Sequence, residues 1–143
     1  MAFSALRMHF LSLLVLILTL TGIDSFRCFT RHATGSTSFL TMSKKYCLNV
    51  ILYPNPARRE EFIACIKNNQ QNTLDKDKEP KALVYTFGES TSEPNVFHFQ
   101  EVYEDEDGFK HHTKTPHFAA WEEFASSENA FVKDPVIHFF EAM

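Results

Sequence analysis

Glu101-Val102-Tyr103-Glu104-Asp105-Glu106-Asp107-Gly108-Phe109-Lys110-His111-His112-Thr113-Lys114-Thr115-Pro116-His117-Phe118 is the densest run of chemistry in the chain. It begins as the end of an apolar strand, crosses an acidic turn into a short helix, and restarts a second helix at Thr115-Pro116. There Thr115 suits the N-cap and Pro116 the first helical position. The acidic run from Glu104 to Asp107 complements the dipole at a helix N-terminus and reads as capping rather than metal binding. Three of the chain's seven histidines fall between positions 111 and 117. Imidazole has the unperturbed pKa best suited to proton transfer near neutrality. A strand-to-helix junction that aims it toward a carboxylate and a phenol is therefore a candidate acid–base site.

Working outward, Tyr46 to Tyr53 is a strand by its apolar run and its boundary at Pro54. Alternation sets Tyr46, Leu48, Val50 and Leu52 on one face, and Cys47, Asn49, Ile51 and Tyr53 on the other, so Asn49 is a lone polar group in an apolar strand. It is either a satisfied amide or a ligand contact. Asn55-Pro56 starts an amphipathic helix that runs from Ala57 to about Leu74, with Phe62, Ile63, Cys65 and Ile66 on or beside its apolar face. A loop through Asp75 to Pro80 leads to two strands, Ala82–Phe87 and Asn95–Tyr103, joined by a long hairpin loop. In the second strand Phe97, Phe99, Glu101 and Tyr103 share a face, so Glu101 is a carboxylate among aromatics, either paired or raised in pKa. The helix from His117 to about Ser127 buries Phe118, Trp121, Phe124 and Ala125, and Val136–Glu141 is the last strand. The order is βαββαβ, an α+β ferredoxin-like unit. Strands apolar on both faces and 15 phenylalanines predict that the face away from the helices packs on another sheet.

The motif Glu101-x-Tyr103, acidic turn, Phe109, His112, Thr115-Pro116-His117-Phe118 resembles the signature of the antibiotic biosynthesis monooxygenase (ABM) superfamily. It is most similar to the branch of quinol monooxygenases and the bacterial autoinducer-2 phosphate isomerase. The resemblance spans roughly the last hundred residues. Glu79-Pro80 also matches the family's Glu-Pro-Gly, with Lys81 in place of the glycine. The resemblance implies a homodimeric α/β barrel and oxygenation without a cofactor, in which an electron-rich phenol or quinol is deprotonated and oxidised by O2. Under this expectation His112 is the base, Glu101 orients or tunes it, and Tyr103, Asn49, His117 and Phe99 bind the substrate. In the haem-degrading branch, alignment on Phe109 would put the pocket tryptophan at His112 and the iron ligand at Glu122, and neither residue type stands there.

Other readings stay open. Glu101 with Tyr103 could be a structural pair, and either histidine a capping or core residue. A base and an acid in one pocket could instead isomerise a small hydroxyketone, and an aromatic cavity could bind a ligand without turnover. His112 and His117 are five apart, not the three or four that puts two ligands on one helical face, so no metal site is expected. No glycine-rich phosphate loop, flavin or nicotinamide fingerprint, Gly-x-Ser-x-Gly or zinc motif is present, so no cofactor is expected.

The N-terminus reads as a presequence to about residue 41, with the domain over 42–143. Arg7 and His9 precede an apolar run, Phe10 to Leu20, too short for a comfortable membrane span and placed where a signal-peptide core belongs. From Phe26 to Lys45 there is no acidic residue, while arginines and lysines alternate with serine and threonine, a transit-peptide composition. Signal plus transit resembles a plastid address in algae with secondary plastids; the alternatives are plain secretion or a retained N-terminal anchor. Beyond residue 41 the chain carries 11 Lys+Arg against 17 Asp+Glu. Such an acidic domain without a basic stripe is no nucleic-acid binder, and no membrane partner is expected for it. Cys47 and Cys65 make no metal spacing and read as buried thiols.

Overall fold

The structure, a computed structural model, describes residues 44–142. The signal and transit expectations lie outside the described residues. The first strand, β1 (Tyr46–Leu52), leads through a 3-10 turn (Pro56–Arg58) into α1 (Arg59–Thr73). The hairpin strands β2 (Ala82–Glu89) and β3 (Phe97–Tyr103) follow, then α2 (Glu106–His112), α3 (Pro116–Ser126) and β4 (Val136–Glu141). The sheet is antiparallel with order β2-β3-β1-β4, and the fold is the ferredoxin-like α+β unit.

Local chemistry explains the element ends. The Asn55 side chain accepts from Ala57 N at 3.0 Å, Asp105 accepts from Gly108 N at 2.9 Å, and Thr115 accepts from Phe118 N at 3.3 Å. Each satisfies an amide that a helix start would otherwise leave unpaired. The second hairpin strand starts two residues later than expected, at Phe97, because Asn95 takes a left-handed φ of 60° and closes the loop instead of extending it.

All helices cover one face of the sheet. Phe62 of α1 sits at its centre, with ring centroids 4.9 Å from Phe97, 6.2 Å from Trp121 and 6.0 Å from Phe124. A side chain buried this completely contributes about 1.5–3 kcal/mol of hydrophobic stabilisation. A second cluster of Leu48, Ala82, Tyr103 and Phe109 packs beneath α2 and reaches Tyr46 and Phe139. The far face carries more polar residues than the apolar strand pattern suggested. Thr86, Gln100, Asn49 and His138 stand opposite one another in register across all four strands, and all four are exposed. Cys47 is buried and Cys65 half-buried, both as free thiols.

Candidate functional site

The site forms where α2 ends, α3 begins and the α1–β2 loop crosses beneath them. Three local constraints aim its side chains. The loop is tied by Glu79 N donating to Asp75 O at 2.8 Å and Ala82 N donating to Glu79 O at 3.2 Å, so Glu79 is turned inward just before Pro80. His112 is the last residue of α2, and its carbonyl accepts from the Thr115 hydroxyl at 2.7 Å. That same hydroxyl oxygen caps α3, which fixes His117, in the first turn, relative to His112.

The result is one carboxylate oxygen facing two imidazoles. His112 Nδ1 lies 2.8 Å from Glu79 Oε1, and His117 Nε2 bonds to the same oxygen. Glu79 and His112 are each only 1% exposed. Burial works to raise the Glu79 pKa, but the hydrogen bonds and charges of His112 and His117 together outweigh it and leave the carboxyl below its ordinary range. Its other oxygen, Oε2, is buried and has no hydrogen-bond partner among the described residues. His112 Nδ1 also lies 3.4 Å from the Thr73 hydroxyl, which donates its own proton to Asn69 O at 2.8 Å.

Glu101 and Tyr103 sit beside this group on β3. The Tyr103 hydroxyl donates to Glu101 Oε2 at 2.8 Å, and the Tyr103 ring centroid is 5.7 Å from that of His112. Desolvation raises the Glu101 pKa against the lowering effects of His112 and the Tyr103 bond. Burial, then the Glu101 charge, pushes the Tyr103 phenol far above its ordinary value. Phe99 lies in the adjoining aromatic cluster, stacked on Phe87 at 5.6 Å.

Four expected residues, His112, Glu101, Tyr103 and His117, are thus brought together, with Phe99 behind them. Asn49 is not. It pairs with Gln100 on the far face, whereas Leu48 pairs with Glu101 on the helix face. The carboxylate that bonds His112 is Glu79 and not Glu101. His112 and His117 converge despite their spacing of five, because the break at Thr115-Pro116 puts them on different helices, and both meet Glu79. Among the described residues, these three offer carboxylate and imidazole atoms within 4.8 Å of one another, a set that could hold a metal ion. Glu79 stood in a charged loop, and the one signal that marked it was its place in the Glu-Pro pair. His111, which is not part of the motif, is exposed, with Nε2 3.0 Å from Lys78 O.

This arrangement can hold an imidazole ready to accept a proton in a water-poor setting, next to a phenol–carboxyl pair able to bind substrate oxygens. Residues 46–123, more than half of the chain, match the family model described as Antibiotic biosynthesis monooxygenase. No curated protein matches the chain in sequence. Among solved structures, a candidate antibiotic biosynthesis monooxygenase from Caulobacter crescentus CB15 is similar at 28% identity and a TM-score of 0.61, over 71% of this chain and 92% of that one. A conserved protein of unknown function from Bacteroides thetaiotaomicron, described as a candidate oxidoreductase, is similar at 27% identity and a TM-score of 0.59, over 70% and 99%. A candidate antibiotic biosynthesis monooxygenase from Nitrosomonas europaea shares the fold at 16% identity and a TM-score of 0.62, over 69% and 90%.

Proposed function

The chain belongs to the antibiotic biosynthesis monooxygenase family, and from that premise we propose that it is a cofactor-independent monooxygenase of quinols or polyphenols. The observation that carries the reading is the buried imidazole of His112, bonded through Nδ1 and set against the Glu101–Tyr103 pair. His112 Nε2 takes the proton of the substrate hydroxyl, and the phenolate passes one electron to O2. The two radicals combine at a ring carbon, and the proton returned from His112 makes the adduct a hydroperoxide. Loss of water, with the hydrogen of that carbon, leaves the quinone. One oxygen of O2 becomes the new carbonyl and the other leaves in water, so no external reductant is consumed. Tyr103 and Glu101 hold substrate oxygens, and Phe99 backs the ring. Exclusion of water strengthens the electrostatic stabilisation of the phenolate.

The family resemblance and the partly apolar far face also support a homodimer joined through that face. The acid-poor presequence supports a plastid address.

Oxygen uptake by the purified protein, freed of metal and flavin, against a panel of quinols and polyphenols tests the activity. We expect saturable uptake and a loss of about 10²-fold or more in the His112→Ala variant, the scale of a general base. Tight quinol binding with no uptake would replace this reading with a binding domain, and turnover of a hydroxyketone without O2 would replace it with an isomerase.

A further inference from the structure

We propose that Glu79 is the positioning residue of this site, holding His112 in the tautomer that presents a bare Nε2, with His117 acting through Glu79 as its second donor rather than on the substrate. The inference rests on the proposed function for its consequence, but its geometry stands independently. His112 Nδ1 faces two oxygens. One is the carboxylate Oε1 of Glu79 at 2.8 Å, and the other is the Thr73 hydroxyl at 3.4 Å. Thr73 has already committed its proton to Asn69 O. With Glu79 ionised, both oxygens can only accept, so the proton of neutral His112 sits on Nδ1 and the lone pair on Nε2. The same logic places a proton on His117 Nε2, whose partner is that same carboxylate oxygen.

The second donor has a definite effect. A single buried carboxylate against a single imidazole would draw a proton strongly onto that imidazole, or take the proton itself. Sharing Oε1 between two N–H groups satisfies the carboxylate from both sides and holds Glu79 ionised, the state in which it can only accept from His112 Nδ1. The groups facing His112 are Glu79 from the loop, Thr73 from α1, Tyr85 from β2, Glu101 and Tyr103 from β3, and His117 from α3. The two tyrosines are held neutral by burial. That leaves Glu101 as the other group whose charge acts on His112, and the Glu79 and His117 substitutions leave it in place.

Long-range 1H–15N correlation spectra of the 15N-histidine-labelled protein read the tautomers directly, without any variant. We expect His112 as the Nδ1–H form and His117 as the Nε2–H form; an Nε2–H form of His112 would overturn the proposal. The same spectra and the oxygen-uptake kinetics are then followed in three variants. Glu79→Gln can donate as well as accept, so the Nδ1–H form of His112 should give way to a mixture of tautomers and kcat should fall while KM changes little. His117→Leu removes the second donor to Glu79 and should shift the His112 population the same way, and His117→Gln, which can still donate, should restore the Nδ1–H form. A His112 tautomer unchanged in all three variants would sink the idea, since a merely structural role moves no proton between its nitrogens. One equivalent of a divalent metal retained by the protein and lost in His117→Leu would replace the hydrogen-bonded group with a metal centre. Absence of quinol oxidation removes the proposed activity alone, because the spectra still decide the tautomers.

Discussion

At the scale of single residues, two buried glutamates have opposite relations to pH. Glu79 is held below the ordinary carboxyl range, so its bonds stabilise the fold above the unfolded pKa, and this stabilisation is lost as pH falls through the lowered folded value. Glu101 is raised by desolvation, so stability is complete below the unfolded pKa and declines as pH rises through the raised folded value. Glu101→Gln keeps an acceptor for the Tyr103 hydroxyl while removing the charge. Its melting temperature should match the parent's below the ordinary glutamate range and exceed it at neutral pH. Thermal melts across that range check this, and a pH-independent difference would refute it. Glu79→Ala instead strands two buried imidazole N–H groups at about 1–3 kcal/mol each, which urea denaturation at neutral pH would measure. The motif's own members, His112 and Glu101, were legible in the sequence because alternation and helix restart place them. Glu79 was not, because a glutamate in a lysine-rich loop reads as solvated until the loop's backbone bonds turn it inward.

At the scale of elements, the chain's caps and apolar periods located the strands and α-helices of the described residues, because each is decided by neighbours in sequence. Cross-strand register was not available that way, and this is why Asn49 was grouped with residues on the opposite face. Helix-to-loop contact was equally hidden. An added Cβ at Gly108 of α2 would stand 2.9 Å from Lys81 Cβ and 3.3 Å from Tyr103 Cβ. Lys81 occupies the place where the family motif has glycine, so in this chain the close approach of loop and helix is permitted by Gly108. Lys81 Nζ further bonds the α2 N-cap, Asp105, at 2.6 Å. Gly108→Ala should therefore destabilise by about 1–3 kcal/mol, although alanine is the better helix former. Lys81→Gly added to it should recover part of that loss. Urea denaturation of the two single variants and the double variant gives the coupling, and strict additivity would show that the two positions do not oppose each other.

At the scale of the whole molecule, the sheet is covered on one face and bare on the other among the described residues. The large number of phenylalanines suggested a second apolar face, but Phe62, Phe97, Phe99, Phe109 and Phe124 all lie on the helix side. The far face is striped instead. The polar row of Thr86, Gln100, Asn49 and His138 runs between an apolar row, Val84, Val102, Cys47 and Phe140, and a mixed row, Gly88, His98, Ile51 and Val136. Phe140 is 43% exposed. Apolar rows supply area that a second sheet can remove from water, while an isolated polar row left without partners in that interface would cost free energy. Two copies packed face to face satisfy both demands, because each polar row can meet the other's amides and imidazole. Size-exclusion chromatography with light scattering should therefore give a dimer, and Val102→Lys, which puts an unpaired charge into the apolar row, should give a monomer. His112 and Glu79 lie on the opposite side of the sheet, so the Val102→Lys monomer should keep the parent's His112 tautomer. A parent protein that elutes as a monomer would end the barrel reading, and a tautomer that changes with the dimer would show that the site is completed only on assembly.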